Sequence, residues 1–276
     1  MRFTAKIRMN NLHYRAMTKR YFSIILSDKV SLITLLLQAP LMLLIMYLTC
    51  SKQFDYYNAM MTLFIIVTVA ITMAILNSYR EVCKEREILK REYDSGLDRI
   101  AYIFSKMTVQ SVIAFLQTLL IITGLLSFID FNWNPDTKIY QILLFYLVIF
   151  LTFLAADAFG IMISAVLKSS ESAVLPVLFI IISQVVLSGA LMDLPENIEW
   201  LSFITIAKWS LAALGGIFDI KMLAKTYPIE NGIIAPQPLR HVYETPFSAG
   251  IIVLVAIIGV CMVISVLSIS KNTYRP

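Results

Sequence analysis

Apolar and polar positions alternate along this chain in long blocks. Six apolar blocks each hold about 20 residues with few charges, which is the length that an α-helix needs to cross a hydrocarbon core of roughly 30 Å. We therefore expect transmembrane helices at 30–49, 60–76, 101–129, 139–167, 173–192 and 249–269. The pattern predicts an all-α membrane protein with six transmembrane helices.

The composition agrees with a membrane protein and argues against several other classes. Hydrophobic residues make up 59% of the 276 residues, and the mean hydropathy is +0.78, which is too apolar for the solvated surface of a soluble domain. The three cysteines are far apart and match no metal-binding or disulfide spacing. His13 and His241 fall on opposite sides of the predicted membrane, so they cannot share a catalytic site. We expect no metal site and no nucleic-acid binding.

The distribution of lysine and arginine predicts the orientation in the membrane. Basic residues are concentrated before the first span, in segment 77–107 and after the last span, and they are sparser in the other connections. Loops rich in lysine and arginine stay in the cytoplasm, so we expect both termini and segment 77–107 there. The external connections hold no N-x-[ST] sequence, which favours a bacterial cell membrane.

Two segments outside the spans complete the predicted organisation. Residues 1–28 mix apolar and basic side chains, as an amphipathic connecting helix on the cytoplasmic membrane surface does. Residues 29–276 then form one domain of six spans. Within it, 193–248 is an outer segment. Its apolar and aromatic part at 200–218 is expected to re-enter the interface, and its proline-rich part is expected to form an external loop.

The most charged part of the chain is NSYREVCKEREILKREYDSGLDRIAYIFSKM, residues 77–107. Its acids nearly balance its bases, and Glu81–Lys84 and Glu87–Arg91 stand at helical spacing, each worth a few tenths of a kcal/mol. One interpretation is a solvated loop whose positive charges set the topology. The other is a short charged helix at 77–100 that docks a soluble partner. The residue pattern alone leaves both open.

Three stretches resemble type-2 ABC transporter permeases of the G-subfamily kind. The charged stretch carries an R-E-x-x-x-E-R core at Arg80, Glu81, Glu85 and Arg86. Residues 157–179 are similar to the family's small-residue fourth span, polar turn and proline-bearing fifth span, and 187–214 to the fifth-span exit and re-entrant outer helices. The resemblance covers nearly the whole chain and ends mainly in the outer loop after Leu223.

This resemblance implies a subunit that couples to an ATPase in the cytoplasm. In the family two membrane domains pair, each rests on an ABC ATPase, and the charged helix passes the motion of the ATPase to the spans. The residues expected to couple to the ATPase are Arg80, Glu81, Glu85, Arg86, Arg91, Glu92, Arg15 and Lys19. For any one acid or base, the alternative is a solvated ion pair worth under about 1 kcal/mol. For the basic N-terminal residues, the alternative is attraction to anionic lipid.

The resemblance also implies a substrate cavity and an outer gate. Ile66, Val69 and Met73 share one face of the second span, and the cavity candidates are Ile66, Val69, Met73, Ile181, Gln184 and Leu187. The outer gate corresponds to Ala190 and Leu191, where Ala190 is smaller than the family's residue. Each cavity residue also fits ordinary helix packing.

Asp157 is the single acid inside a predicted span. A carboxylate facing lipid is costly, so this side chain should face protein, water or a partner. Two interpretations stay open: a role in the cavity or in an ion pair, and a hydrogen bond to a neighbouring helix.

The chain holds no G-x-x-x-x-G-K-[ST] phosphate-binding loop. We therefore expect no enzymatic activity and no cofactor on this chain, with ATP and magnesium on a separate ATPase. The predicted function is the permease subunit of an exporter of a lipid, drug or peptide, working as a homo- or heterodimer among membrane lipids. The alternatives are a sensor or immunity subunit that recognises membrane-active peptides, and a scaffold or membrane enzyme independent of ATP.

Overall fold

A computed structural model of the protein describes residues 11–94, 96–167, 169–191, 194–230 and 241–273. Part of the predicted connecting helix (residues 1–10) and part of the predicted proline-rich loop (231–240) lie outside the described residues. The described helices are α1 Asn11–Ser27, α2 Lys29–Thr49, α3 Tyr56–Ser78, α4 Arg86–Asp94, α5 Arg99–Phe128, α6 Lys138–Val166, α7 Ser170–Val186, α8 Glu196–Ser202, α9 Ile206–Ile217, α10 Ile220–Glu230 and α11 Phe247–Thr273. The predicted all-α membrane fold is confirmed.

Five helices in the described part of the chain are long and apolar enough to cross a membrane: α2, α3, α5, α6 and α11. The predicted span at 173–192 corresponds to the shorter apolar helix α7, which has 17 residues and a length of about 25 Å. Helix α7 ends at Val186, before the predicted boundary, because the chain turns at Gly189, whose φ of +73° suits glycine.

Helix α6 lies at the centre of the molecule and packs against α3, α5, α9 and α11. Its large side chains Phe145 and Phe153 and its small residues Ala155 and Ala156 are fully buried, so bulky and small groups interlock with the neighbouring helices. Helix α2 is peripheral, since only 11% of the residues in its apolar stretch are buried. Its exposed leucines are suited to contact lipid.

Polar side chains within the spans tie neighbouring helices together. The Gln110 side chain donates to the Asn77 carbonyl at 3.1 Å. Gln117 accepts from the Asn77 side chain at 3.3 Å and donates to the Leu35 carbonyl at 3.4 Å. These bonds join α5 to α3 and α2. They satisfy polar groups that would otherwise face a medium without water.

The predicted outer segment 193–248 contains α8, α9 and α10, and helix α9 is buried along nearly its whole length. Its N-terminus is held by Gln184 of α7, whose side-chain oxygen accepts from the backbone N–H of Ile206 at 2.8 Å. Helix α10 extends to Glu230 and includes Pro228, so the first part of the stretch predicted as a loop is helical.

Helices α11 and α9 approach closely at Gly250. A Cβ atom at this position would lie 2.7 Å from the Trp209 carbonyl oxygen and 2.9 Å from the Ala213 Cβ, closer than such atoms pack. We expect Gly250→Ala to lower the stability by about 1–3 kcal/mol, because backbone atoms must move to admit the methyl group. Thermal unfolding of the purified protein in detergent measures this effect.

Gly259 supplies the matched control, because it lies on the same helix and a Cβ atom there would meet no atom within 4 Å. Gly259→Ala should leave the unfolding midpoint unchanged or raise it slightly, since alanine is the better helix former by about 1 kcal/mol. Equal midpoints for the two variants would show that this close approach does not limit packing.

Candidate functional site

The charged stretch folds as a turn and a short helix between two long helices. The sequence predicted one helix at 77–100, but α3 ends at Ser78, a 3₁₀ turn follows at Cys83–Glu85, and α4 occupies Arg86–Asp94. The Ser164 hydroxyl of α6 accepts from the backbone N–H groups of Val82 at 2.9 Å and Cys83 at 3.1 Å. These contacts satisfy donors that the break in the helix leaves without helical partners.

An ion cluster made of Tyr21, Glu81, Glu85, Tyr102 and Lys106 lies behind this turn. Lys106 is 1% exposed, and its ammonium nitrogen stands 2.7 Å from a Glu85 carboxylate oxygen and 3.7 Å from one of Glu81. The hydroxyl of Tyr102 donates to the other Glu85 oxygen at 2.9 Å, and the hydroxyl of Tyr21 donates to Glu81. Both buried carboxylates are therefore paired and hydrogen-bonded, as burial of a charge requires.

The ion cluster joins three separate elements. Tyr21 belongs to α1, the two glutamates to the turn after α3, and Tyr102 and Lys106 to α5. The Lys106 nitrogen also lies 3.6 Å from the centre of the Tyr21 ring, a cation–π contact. Burial, together with the adjacent Glu81 carboxylate, raises the pKa of Tyr21 well above its ordinary value. Tyr21 therefore stays protonated at neutral pH and keeps donating to Glu81.

Two further contacts hold α1 against the same region. Arg20 forms an ion pair with Glu92 of α4, and the hydroxyls of Tyr14 and Thr108 lie 2.8 Å apart, joining α1 to α5. The N-terminal helix therefore packs on the charged turn and on α5.

Helix α4 presents one face to the protein and one to solvent. Leu89 is buried, and Arg86 donates to the Leu167 carbonyl at 2.6 Å. Successive residues are rotated by about 100° around a helix, so Arg86, Leu89 and Glu92 form the inner face. The opposite side, with the turn before it, is a continuous exposed surface. This charged face consists of Arg80, Lys84, Glu87, Ile88, Lys90 and Arg91.

The predicted coupling residues divide between these surroundings. Arg80 and Arg91 lie on the charged face, and Arg15 and Lys19 are exposed on α1. Glu81 and Glu85 are buried in the ion cluster, whereas Arg86 and Glu92 are half-buried and hold α4 to its neighbours. The glutamates therefore face the protein interior, away from the surface that a soluble partner could reach.

Sequence reasoning missed Lys106 and Ile88. The sequence shows Lys106 only as one of the basic residues of segment 77–107, yet its ammonium group is at the centre of the ion cluster. Ile88 is 51% exposed amid charged neighbours. Ile88 is rotated by about 100° around α4 from the buried Leu89, and no pattern in the sequence distinguishes the surroundings of these two apolar residues.

The predicted cavity residues lie mostly inside the helix packing of this chain. Ile66 and Met73 are fully buried in the core, while Val69, Ile181 and Leu187 are half-buried. Helices α3 and α7 meet in a narrow cleft, where Thr68 and Thr72 of α3 face Ile181 and Gln184 of α7. Sequence reasoning did not identify these threonines as part of the cleft.

The predicted outer gate lies at the turn after α7. Ala190 is half-buried and packs against the core, and its N–H donates to the Ser188 hydroxyl at 3.2 Å. Leu191 is 40% exposed. The structure therefore places both residues beside each other at the end of α7 that is distant from the charged face.

Asp157 is buried between α6 and α3 and is 2% exposed. The Ser78 hydroxyl of α3 lies near its carboxyl group but donates to the Ala74 carbonyl at 2.8 Å, and the Asp157 Oδ1 atom has no hydrogen-bond partner among the described residues. Within the described residues it forms no ion pair. The role in the cavity or in an ion pair and the hydrogen bond to a neighbouring helix both stay predictions.

Comparisons with known proteins identify a matching family model and a relative. Residues 13–218 match the family model described as ABC-2 type transporter. The chain is also 27% identical over 167 residues to an ABC transporter ATP-binding/permease protein of Mycobacterium tuberculosis. That match covers 55% of this chain and 18% of the mycobacterial protein, so the chain corresponds to a small part of that relative.

Proposed function

The chain belongs to the ABC-2 type transporter family and is thus a multi-pass transmembrane subunit of an ABC transporter, and we propose a role for it in export. In this proposal it couples ATP hydrolysis on a separate ATPase chain to export of a hydrophobic or amphipathic substrate. The observation that carries the proposal is the charged face. This surface lies outside the spans, and the ion cluster holds it against them. Such a surface is suited to receive a mechanical stroke from a soluble partner.

The coupling depends on two layers of charge. The exposed residues Arg80 and Arg91 contact the ATPase, while the buried Glu81, Glu85 and Lys106 transmit its displacement to α5 and α1. Salt screens a buried ion pair much less than an exposed one, so the inner layer keeps its strength at physiological ionic strength. Arg15 and Lys19 on α1 extend the contact with the same ATPase.

ATP and magnesium bind to the partner chain in this proposal. The mycobacterial relative is named as both ATP-binding and permease protein, and this chain resembles a part of it. The 276 residues contain no phosphate-binding loop. No step in the mechanism requires a cofactor on the permease itself.

The translocation pathway forms between two permease copies, identical or homologous. Helix α7 carries exposed apolar side chains that are available to a second copy or to lipid, including Leu175, Leu178, Phe179 and Ile182. A paired α7, with Val69 and Thr72 of α3 behind it, lines an apolar cavity closed at its outer end by Ala190 and Leu191. This cavity admits lipids, drugs or hydrophobic peptides alike. Asp157 supports the packing of α6 on α3.

In this proposal the protein lies in a bacterial cell membrane with both termini in the cytoplasm. The concentration of basic residues before α2 and around α4 supports that orientation. The charged face then meets the compartment that holds ATP.

Co-purification tests the proposed function. We expect the chain, tagged at its C-terminus and extracted in detergent, to bring down an ATPase in a stoichiometric amount, with ATP hydrolysis in the eluate. A histidine kinase partner in place of an ATPase would support the alternative of a sensor for membrane-active peptides. Purification of the chain without any stoichiometric partner would contradict motor coupling.

A further inference from the structure

A second concave site lies at the end of the molecule opposite the charged face. It is a cavity of about 760 Å³ formed by the α2–α3 connection, the α5–α6 connection and the start of α10. Cavities of this size hold small organic ligands. We name it the aromatic pocket, after Phe54, Trp133 and Phe218.

The wall of the aromatic pocket is built from packed rings. The Phe218 ring centre lies 5.1 Å from that of Phe54 and 5.1 Å from that of Trp133. Phe54 and Phe218 are buried, and Trp133 is half-buried, so the indole is the ring that a ligand reaches. The faces of such rings carry partial negative charge and attract cations.

The pocket is also acidic in a basic protein. The whole chain has a net charge of +5, yet the residues that line the pocket include Asp55, Asp130 and Asp219 and no lysine, arginine or histidine among those described. Asp55 caps α3 by accepting from the Asn58 N–H at 2.9 Å. In the described chain, Asp130 and Asp219 have no ionic partner. Their charge is therefore available to a ligand.

The shape of the pocket is fixed by backbone contacts between its connections. The Asp130 N–H donates to the Lys52 carbonyl at 3.0 Å, and the Gln141 side chain donates to the Ile217 carbonyl at 3.0 Å. No group of three metal-ligating side chains occurs in the described part of the chain. A cavity of about 760 Å³ has room for an organic cation that meets the carboxylates and the indole at different points.

We infer that the aromatic pocket binds monovalent organic cations with an apolar body, such as quaternary ammonium or phosphonium compounds, through Asp130, Asp219 and the Trp133 ring. The aspartates neutralise the charge, and the rings bury the apolar part. This site is separate from the cavity proposed between two permease copies. Its ligand binding does not depend on ATPase coupling.

Calorimetric titration of tetraphenylphosphonium into the purified chain in lipid nanodiscs tests the inference. We expect saturable binding to the unmodified chain, and binding about tenfold weaker in Asp130→Asn with Asp219→Asn, and in Trp133→Leu. Asp136→Asn is the matched control, because Asp136 is an exposed acid in the same connection that does not line the pocket. This control should bind like the unmodified chain.

Tetraphenylborate provides a second control, since it has the same shape and the opposite charge. We expect the unmodified chain to bind the phosphonium ion at least tenfold more tightly than the borate ion, after subtraction of partition into empty nanodiscs. Equal affinity for the two ions, or equal phosphonium binding by the unmodified chain and the double aspartate variant, would overturn the inference. Thermal unfolding of each variant confirms that the fold is retained.

Discussion

Replacing Lys106 by methionine is expected to destabilise the protein by roughly 3–5 kcal/mol, the usual consequence of removing one partner from a buried ion pair. The substitution removes the only buried ammonium group among the described residues of the ion cluster. Glu81 and Glu85, which are 8% and 9% exposed, would then face each other with only Tyr21 and Tyr102 as buried donors. Two adjacent carboxylates without a buried cation between them repel, so the turn, α1 and α5 should separate.

Thermal unfolding in detergent and the yield of monodisperse protein measure this effect. Lys84→Met is the matched control, because Lys84 also contacts Glu81, at 2.6 Å, but its side chain is 41% exposed. Loss of an exposed pair costs at most about 1 kcal/mol. The triple variant Lys106→Met, Glu81→Gln, Glu85→Gln removes the charges together and should recover part of the lost stability. A Lys106→Met effect no larger than that of Lys84→Met would show that the cluster does not hold the elements together.

The second large effect is expected for charge reversal on the charged face. Arg80→Glu combined with Arg91→Glu should weaken association with the ATPase by at least about a hundredfold, because each reversed residue meets a like charge in the contact. Both side chains are exposed, and the Arg80 guanidinium carbon lies 4.9 Å from the centre of the neighbouring Tyr79 ring. The fold should therefore survive, with an unfolding midpoint close to that of the unmodified protein.

Quantitative co-purification and binding of the isolated ATPase measure the association. Lys52→Glu combined with Lys138→Glu makes the same change of charge at exposed positions on the opposite end of the molecule, and it should leave ATPase binding unaffected. If both double variants bind the ATPase equally well, the charged face is not the docking surface.

Much of this fold could be predicted from hydrophobic patterning, since a helix that crosses a membrane must be apolar over most of its length. That rule locates α2, α3, α5, α6 and α11. It does not locate the end of α7, because the turn there depends on the backbone conformation of Gly189 and leaves the apolar run of side chains unbroken.

The local pattern indicates a short charged helix in segment 77–107, but it does not predict the surroundings of its side chains. Charges at helical spacing indicate which residues lie along one helix, whereas burial depends on what other helices bring to that position. Glu81 and Glu85 are buried because Lys106 of α5 and Tyr21 of α1 pack against them. Each of these two residues is 21 or more positions away from both glutamates in the chain. Likewise the aromatic pocket combines three connections that no local pattern relates.

Photo-crosslinking from position 88 tests the central claim most directly. Ile88 is an exposed apolar side chain in the middle of the charged face, so a photoreactive amino acid in its place should capture the ATPase chain on illumination. The same residue at position 143, where Leu143 is exposed on α6, is the control and should not capture it. Crosslinking of the ATPase from position 88 alone is the result that we predict. A failure to crosslink there, in a complex that still contains the ATPase, would contradict docking on the charged face.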